Sequence, residues 1–104
     1  NVITGTDGMN ILDGKAGNDT MQGGNGNDLY YVDSVNDVVI QEATAGTDGV
    51  MSSVNYVLRA NLENLSLIGN AAINGTGNDL NNLMIGNDAD NILDGRAGND
   101  TMQG

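Results

Sequence analysis

The 104 residues carry three Lys+Arg against fourteen Asp+Glu, a formal charge of −11, and contain no His, Cys or Pro. A chain of this length makes one small domain or a stack of short repeats, and without imidazole or thiol it cannot build a Ser-His-Asp triad, a cysteine nucleophile, a disulfide or a His/Cys zinc site. The negative charge disfavours nucleic acid and anionic membranes as partners, and the longest aliphatic run, residues 38–40, is far too short for a membrane span.

Twelve of the fourteen acids are Asp; only Glu42 and Glu63 are Glu. Together with sixteen glycines and abundant Asn, this bias points to short carboxylates held close to the backbone, as in tight turns and oxygen-ligand metal loops. The opening residues, Asn1 to Gly5, have neither a basic nor an apolar leader, and the chain reads as a piece cut from a longer one.

A nine-residue period runs from residue 5. Residues 14–22 and 23–31 share Gly at the first and fourth places, Asn-Asp at the fifth and sixth, and a large apolar side chain at the eighth. The frame extends back over 5–13 and forward over 32–40, where the glycines are lost but Asp37 holds the sixth place, and it returns over 77–85, 86–94 and 95–103. Above it lies a longer period: residues 1–23 align without a gap on 82–104, identical at sixteen of twenty-three positions. The chain accordingly divides into a repeat segment at 1–40, an irregular segment at 41–76 and the start of a second repeat block at 77–104. In the middle segment Val50, Val54, Tyr56 and Leu58 share one parity and Leu65-Ser66-Leu67 alternates, which predicts strands, longer than those of the repeats, with a wider loop. Residues 59–64 have helix-compatible composition but are too few to form a helix with certainty.

Within each unit the first six places read as a tight turn and the last three as a very short strand whose eighth-place side chain points inward. Strands this short need a parallel stack. If two units complete one coil, Asp19 lies over Asp37, Asn10 over Asp28 and Asn82 over Asp100, and a two-residue insertion around Ala43 and Thr44 brings Asp28 over Asp48. Stacked carboxylates repel one another unless a cation intervenes, and Ca²⁺, with six to eight oxygen ligands, suits carboxylates and turn carbonyls better than Mg²⁺. The alternative for the same pattern is a metal-free solenoid whose Asn and Asp cap turns. Asp7, Asp79, Asp88 and Asp90 fall outside the sixth place and are expected in solvent. Met21, Met84 and Met102 occupy the inward place and fill the core. Tyr30 is an inward residue, Tyr31 and Tyr56 are too few for a sugar-stacking face, and Glu42 and Glu63 are read as solvated acids, not a catalytic pair.

Gly23, Gly24, Asn25, Gly26, Asn27, Asp28, Leu29, Tyr30 and Tyr31 spell the pattern Gly-Gly-x-Gly-x-Asp-x-U-x in full, U being a large apolar residue; units 14–22 and 95–103 miss only the second glycine, replaced by Lys15 and Arg96. The chain thus resembles the repeats-in-toxin (RTX) family of calcium-binding nonapeptide repeats. That resemblance implies an all-β fold, a right-handed parallel β-roll or β-solenoid interrupted by the middle segment, with calcium between successive loops. It implies three ligand sets: Lys15, Gly17, Asp19, Val32, Ser34 and Asp37; Thr6, Gly8, Asn10, Gly23, Asn25 and Asp28; and Asn78, Leu80, Asn82, Gly95, Ala97 and Asp100. The carbonyl oxygens of the other residues complete each set around the sixth-place side chains. It further implies a non-catalytic structural module of a secreted bacterial protein exported by type I secretion. An adhesion or carbohydrate-recognition module using calcium only as scaffold is the alternative, carbohydrate binding is left open, and an ice-binding solenoid is weaker because the threonines make no regular flat face. Head-to-tail self-association through the open ends of the stack is also expected.

Overall fold

The structure, a computed structural model, describes residues 1–41 and 46–103. Twelve short strands follow one another: β1 (Val2–Thr4), β2 (Asn10–Asp13), β3 (Thr20–Gln22), β4 (Asp28–Val32), β5 (Val38–Ile40), β6 (Gly49–Ser52), β7 (Tyr56–Val57), β8 (Asn64–Leu67), β9 (Gly75–Thr76), β10 (Leu83–Ile85), β11 (Leu93–Asp94) and β12 (Thr101–Gln103). Every pairing is parallel. The even-numbered strands form one six-stranded sheet, β2-β4-β6-β8-β10-β12, along the whole stack. The odd-numbered strands form two three-stranded sheets, β1-β3-β5 and β7-β9-β11. The molecule is therefore a parallel β-solenoid of about five turns, all-β and without a helix among the described residues. No helix of the described residues is long and apolar enough to cross a membrane.

The register follows the nonapeptide arithmetic where the repeats are regular. Val2 pairs with Thr20, Thr20 with Val38, Asn10 with Asp28 and Leu83 with Thr101, each eighteen residues apart. Leu29 pairs with Gly49, twenty residues on, the offset expected from a two-residue insertion; Ala43 and Thr44 themselves lie outside the described residues. The next coil is shorter, since Gly49 pairs with Asn64, and the one after longer, Asn64 pairing with Leu83. The middle segment differs from the repeats in coil length and not in strand length: β6 to β9 have four, two, four and two residues, and the longest strand of the described residues is β4, with five. Residues 59–64 form a turn leading into β8, with Asn61 at φ 70°.

Side chains of alternate parity fill the space between the sheets. Leu12, Met21, Tyr30, Val39 and Met84, all eighth-place residues, are buried, and so are Val50, Tyr56, Leu58, Leu65 and Leu67 from the middle segment. Met102 is 49 % exposed: it belongs to edge strand β12, and no further coil among the described residues covers it. Leu62, Ile73 and Val32 join the core from outside the inward parity that the repeat assigns.

One buried polar contact ties the core to a turn. The Tyr30 hydroxyl accepts from Gly23 N–H at 2.7 Å and donates to Gln41 Oε1, while Gln41 Nε2 donates to the Gly24 carbonyl at 3.0 Å. A phenylalanine would leave both the Gly23 amide and Gln41 Oε1 unpaired in the interior. Tyr30→Phe is expected to lower stability by about 1–3 kcal/mol, read from urea melts; no change in midpoint would show that the hydroxyl is dispensable.

Candidate metal centre

Each strand is preceded, or begun, by an Asp, Asn or Glu at the end of its turn, and the parallel stack sets these residues in two rows. Along the six-stranded sheet the row is Asn10, Asp28, Asp48, Glu63, Asn82 and Asp100. Along the other edge it is Asn1, Asp19, Asp37, Asn55, Asn74 and Asn91. One hydrogen bond recurs along most of the first row and the start of the second, a backbone N–H donating to the side-chain oxygen one coil further on; at the end of the second row the direction reverses, Asn74 N–H donating back to Asn55 Oδ1 at 2.8 Å and Ile92 N–H to Asn74 Oδ1 at 3.0 Å. Asn10 N–H donates to Asp28 at 3.0 Å, Asp28 N–H to Asp48 at 2.8 Å, Asp19 N–H to Asp37 at 2.8 Å and Asn82 N–H to Asp100 at 2.7 Å. Asn1 N donates likewise to Asp19 at 2.8 Å. The chain so brings Asp19 to Asp37, Asn10 to Asp28, Asp28 to Asp48 and Asn82 to Asp100.

Glu63 belongs to the same row. Its Oε2 accepts from Asp48 N–H at 2.8 Å. The expectation that Glu63 is an outward solvated acid is therefore corrected: the coil from Asp48 is only fifteen residues long, and the extra methylene of Glu lets a carboxylate reach the position Asp takes elsewhere. Glu42 lies outside the described residues.

This hydrogen bond occupies one carboxylate oxygen and leaves the other facing the turn. The Oδ2 atoms of Asp19, Asp28 and Asp48 are fully buried and have no hydrogen-bond partner. A buried, unpartnered carboxylate oxygen is costly unless a cation meets it. Several turn glycines lie hard against backbone carbonyls of the neighbouring coil: a Cβ added to Gly24 would lie 3.0 Å from the Thr6 carbonyl oxygen, one on Gly26 2.8 Å from that of Gly8, and one on Gly98 2.7 Å from that of Leu80. A Cβ on Gly23 would strike the Asp28 carboxylate as well as Tyr30, and one on Gly14 or Gly95 would strike Asp19 or Asp100. The turns are thus lined by hard oxygen donors packed too closely for a side chain, a donor set that fits Ca²⁺.

The left-handed turn conformation persists even where glycine has been lost. Lys15 and Arg96, in the second place, adopt φ 61° and 59°, matching the φ 85° of Gly24, and Asp13 and Asp94 accept from their N–H groups at 2.9 and 3.0 Å. The turn 32–37 behaves differently, with no positive φ; there Asp33 and Ser34 N–H donate to Asp37 Oδ2 at 3.1 and 3.2 Å, and Ser34 Oγ donates to Asn18 at 2.9 Å. This brings Asp33, unforeseen from the repeat frame, beside Asp19 and Asp37.

Elsewhere asparagine amides do what carboxylates cannot. Asn78 Nδ2 donates to the carbonyls of Arg59 and Leu62 at 2.8 and 2.7 Å, and Asn82 Nδ2 to those of Leu62 and Glu63 at 3.4 and 3.2 Å. Asn87 Nδ2 donates to the carbonyls of Ile68 and Ala71 at 3.3 and 2.9 Å, and Asn91 Nδ2 to that of Ile73 at 2.6 Å. Each amide oxygen meanwhile accepts from its own turn: Asn82 from Asn78 N–H, Asn91 from Asn87 N–H. In these rungs, between coils 59–63 and 77–82 and between 68–73 and 86–91, the carbonyls face N–H donors. Asp7, Asp79, Asp88 and Asp90 all lie exposed, as expected.

Similarity to known proteins agrees with this geometry. A family model of the RTX calcium-binding nonapeptide repeat matches in four copies, over residues 4–39 and 76–104, more than half of the chain. The chain belongs to the RTX calcium-binding repeat family. No curated protein and no solved structure matches it. Calcium is the ion these repeats bind.

Two measurements follow from the row chemistry. Burial above all pushes the Asp48 carboxyl from its ordinary 3.8 up to about 6; the bond from Asp28 N–H opposes this, and the charges of Asp28 and Glu63 add to it. Since the folded value is above the unfolded one, this group favours the metal-free fold below about pH 4 and that contribution is lost as pH rises through about 6. In a chelator, thermal midpoints should fall between those limits, and Asp48→Asn should flatten the fall; an unchanged slope would contradict the assignment. For the asparagine rungs, Asn78→Asp turns a double donor into an acceptor facing the Arg59 and Leu62 carbonyls, and should cost about 1–3 kcal/mol with or without calcium, checked by parallel melts.

Proposed function

We propose that this chain is a structural module which completes its folding when calcium binds, and that it performs no chemistry of its own. The observation that carries this is the repeated burial of a carboxylate oxygen without a partner, at Asp19, Asp28 and Asp48. With a net charge of −11 and stacked carboxylates, the metal-free chain works against its own fold; binding a divalent cation couples ordering to ion concentration. The residues proposed to hold the ions are Lys15, Gly17, Asp19, Val32, Ser34 and Asp37 for one site and Thr6, Gly8, Asn10, Gly23, Asn25 and Asp28 for a second. Asp28 and Asp48 face each other in a further pair, and Asn78, Leu80, Asn82, Gly95, Ala97 and Asp100 make the remaining one. Backbone carbonyls and the Asp or Asn side chains are the donors.

We further propose that the module belongs to a secreted bacterial protein exported by type I secretion, where the chain meets calcium only outside the cell. The family resemblance supports this context. Residues 1–40, 41–76 and 77–104 then act as repeat block, irregular spacer and next block of one continuous stack. The six-stranded sheet ends in the open edges β2 and β12, through which copies could stack head to tail.

The test is a far-UV circular dichroism titration with calcium and, separately, magnesium. A change from coil-like to β-rich on calcium, and a much weaker one on magnesium, is expected, together with a larger loss of response for Asp19→Ala than for exposed Asp90→Ala. A β-rich spectrum indifferent to calcium, or equal shifts for the two variants, would overturn the proposal. Sedimentation of the same samples reads head-to-tail association, expected only with calcium.

A further inference from the structure

Asp33 is the second-place residue of the turn 32–37, a place whose carbonyl, not its side chain, the repeat uses. Its carboxylate nevertheless converges with those of Asp19 and Asp37: one oxygen from each lies within 4.8 Å of the others, and among the described residues no other three acidic groups do so. Oxygens that share one calcium ion at 2.3–2.6 Å are at most about 5 Å apart, so all three fit a common ion. A second observation points the same way. Asp19 is 3 % exposed and its Oδ2 is buried without a partner, within this cluster. Asp33 is exposed, at the solvent mouth of the cluster, so it can close over an ion without being buried itself.

The convergence has a local cause. The turn lacks glycine and positive φ, and it is drawn in by Asp33 and Ser34 N–H groups donating to Asp37 Oδ2. In the glycine-bearing turns 14–19 and 23–28, the second place is Lys15 or Gly24, neither of which can supply an anion.

We propose that Asp33 is a third carboxylate ligand of the Asp19/Asp37 site and sets its selectivity, making it the tightest calcium site of the chain and the one that most prefers trivalent lanthanides. This rests on the calcium-binding function proposed above. Three carboxylates leave a net −1 against a divalent ion and zero against a trivalent one, whereas the Asp28/Asp48 pair balances a divalent ion. Ligand charge count is a principal control on calcium affinity in oxygen-donor sites.

Tyr56 lines the same small cavity as Asp37, with Val35, Asn55, Val57 and Arg59. Tyrosine-sensitised terbium emission therefore reports on this site through Tyr56 and on the Asp28 site through Tyr30, whose hydroxyl lies beside the Asp28 carboxylate; the step that Asp19→Asn removes is assigned to this site. The experiment is terbium titration, and calcium displacement of terbium, on the full chain and on Asp33→Asn, Asp13→Asn and Asp19→Asn, in low salt and in about 1 M KCl, where charges more than about 3 Å apart are screened. Asp13→Asn makes the same change in charge near Asp33 without belonging to the cluster. Asp33→Asn should weaken the tightest step about tenfold, lower the terbium-to-calcium preference and retain both effects in high salt; Asp13→Asn should shift it less than about twofold and lose that shift in salt. Equal behaviour of Asp33→Asn and Asp13→Asn, or an Asp33→Asn titration like that of the unaltered chain while Asp19→Asn abolishes the step, would overturn the role of Asp33 alone. An unaltered chain that takes up neither ion would overturn the calcium-binding function with it.

Discussion

A single repeated hydrogen bond organises this molecule: the N–H of the residue ending one turn donates to the side-chain oxygen of its counterpart one coil later. It links Asn10 to Asp28, Asp28 to Asp48, Asp48 to Glu63 and Asn82 to Asp100 along one edge, and Asp19 to Asp37 along the other. Because a carboxylate has two oxygens and the bond uses one, a second anionic oxygen is left inside the stack at Asp19, Asp28 and Asp48, whereas that of Asp37 accepts from Asp33 and Ser34 N–H. The glycine turns and the affinity of the repeats for calcium are both responses to that residual charge.

The chain answers the residual charge in two ways. Where Asp stands, an oxygen is left without a partner, as at Asp19, Asp28 and Asp48. Where Asn stands, the second atom is an NH₂ that donates directly to the preceding coil, as Asn78, Asn82, Asn87 and Asn91 do to the carbonyls of Arg59, Leu62, Glu63, Ile68, Ala71 and Ile73. The two residues have nearly the same shape, so one backbone geometry accepts either. The exchange converts a rung with an unpartnered anionic oxygen into a rung whose hydrogen bonds are complete within the chain. On the edge opposite the six-stranded sheet it leaves acids before β3 and β5 and asparagines before β7, β9 and β11.

The six-stranded sheet carries the stack across coils of unequal length. From Asp28 to Asp48 the coil has two extra residues, and from Asp48 to Glu63 it is three residues shorter than the repeat. The opposite wall is instead split between β5 and β7. Continuity is preserved on one wall because the inward residues Tyr30, Val50, Leu65 and Met84 stay in register there, and their burial stabilises pairing whatever the length of the connecting turn.

The sequence by itself determined the repeat. Asp or Asn at the sixth place, glycines at φ-demanding positions and an apolar eighth place are local requirements of a turn and a three-residue strand, and with a period of nine they dictate the eighteen-residue register, the inward Met21, Tyr30 and Met84, and the pairing of Asp19 with Asp37. Only the tertiary structure decided what depends on contacts between coils of irregular length. Glu63 enters the carboxylate row because its longer side chain spans a short coil, and Leu62 and Ile73 enter the core because the turns that carry them fold inward. Asp33 approaches Asp19 because the turn at 32–37, without glycine, closes on Asp37 by hydrogen bonds instead of through left-handed residues. Periodicity describes neighbours along the chain and one coil away; where the period breaks, the partner of each oxygen is selected by distance in space, which no pattern of residues along the chain encodes.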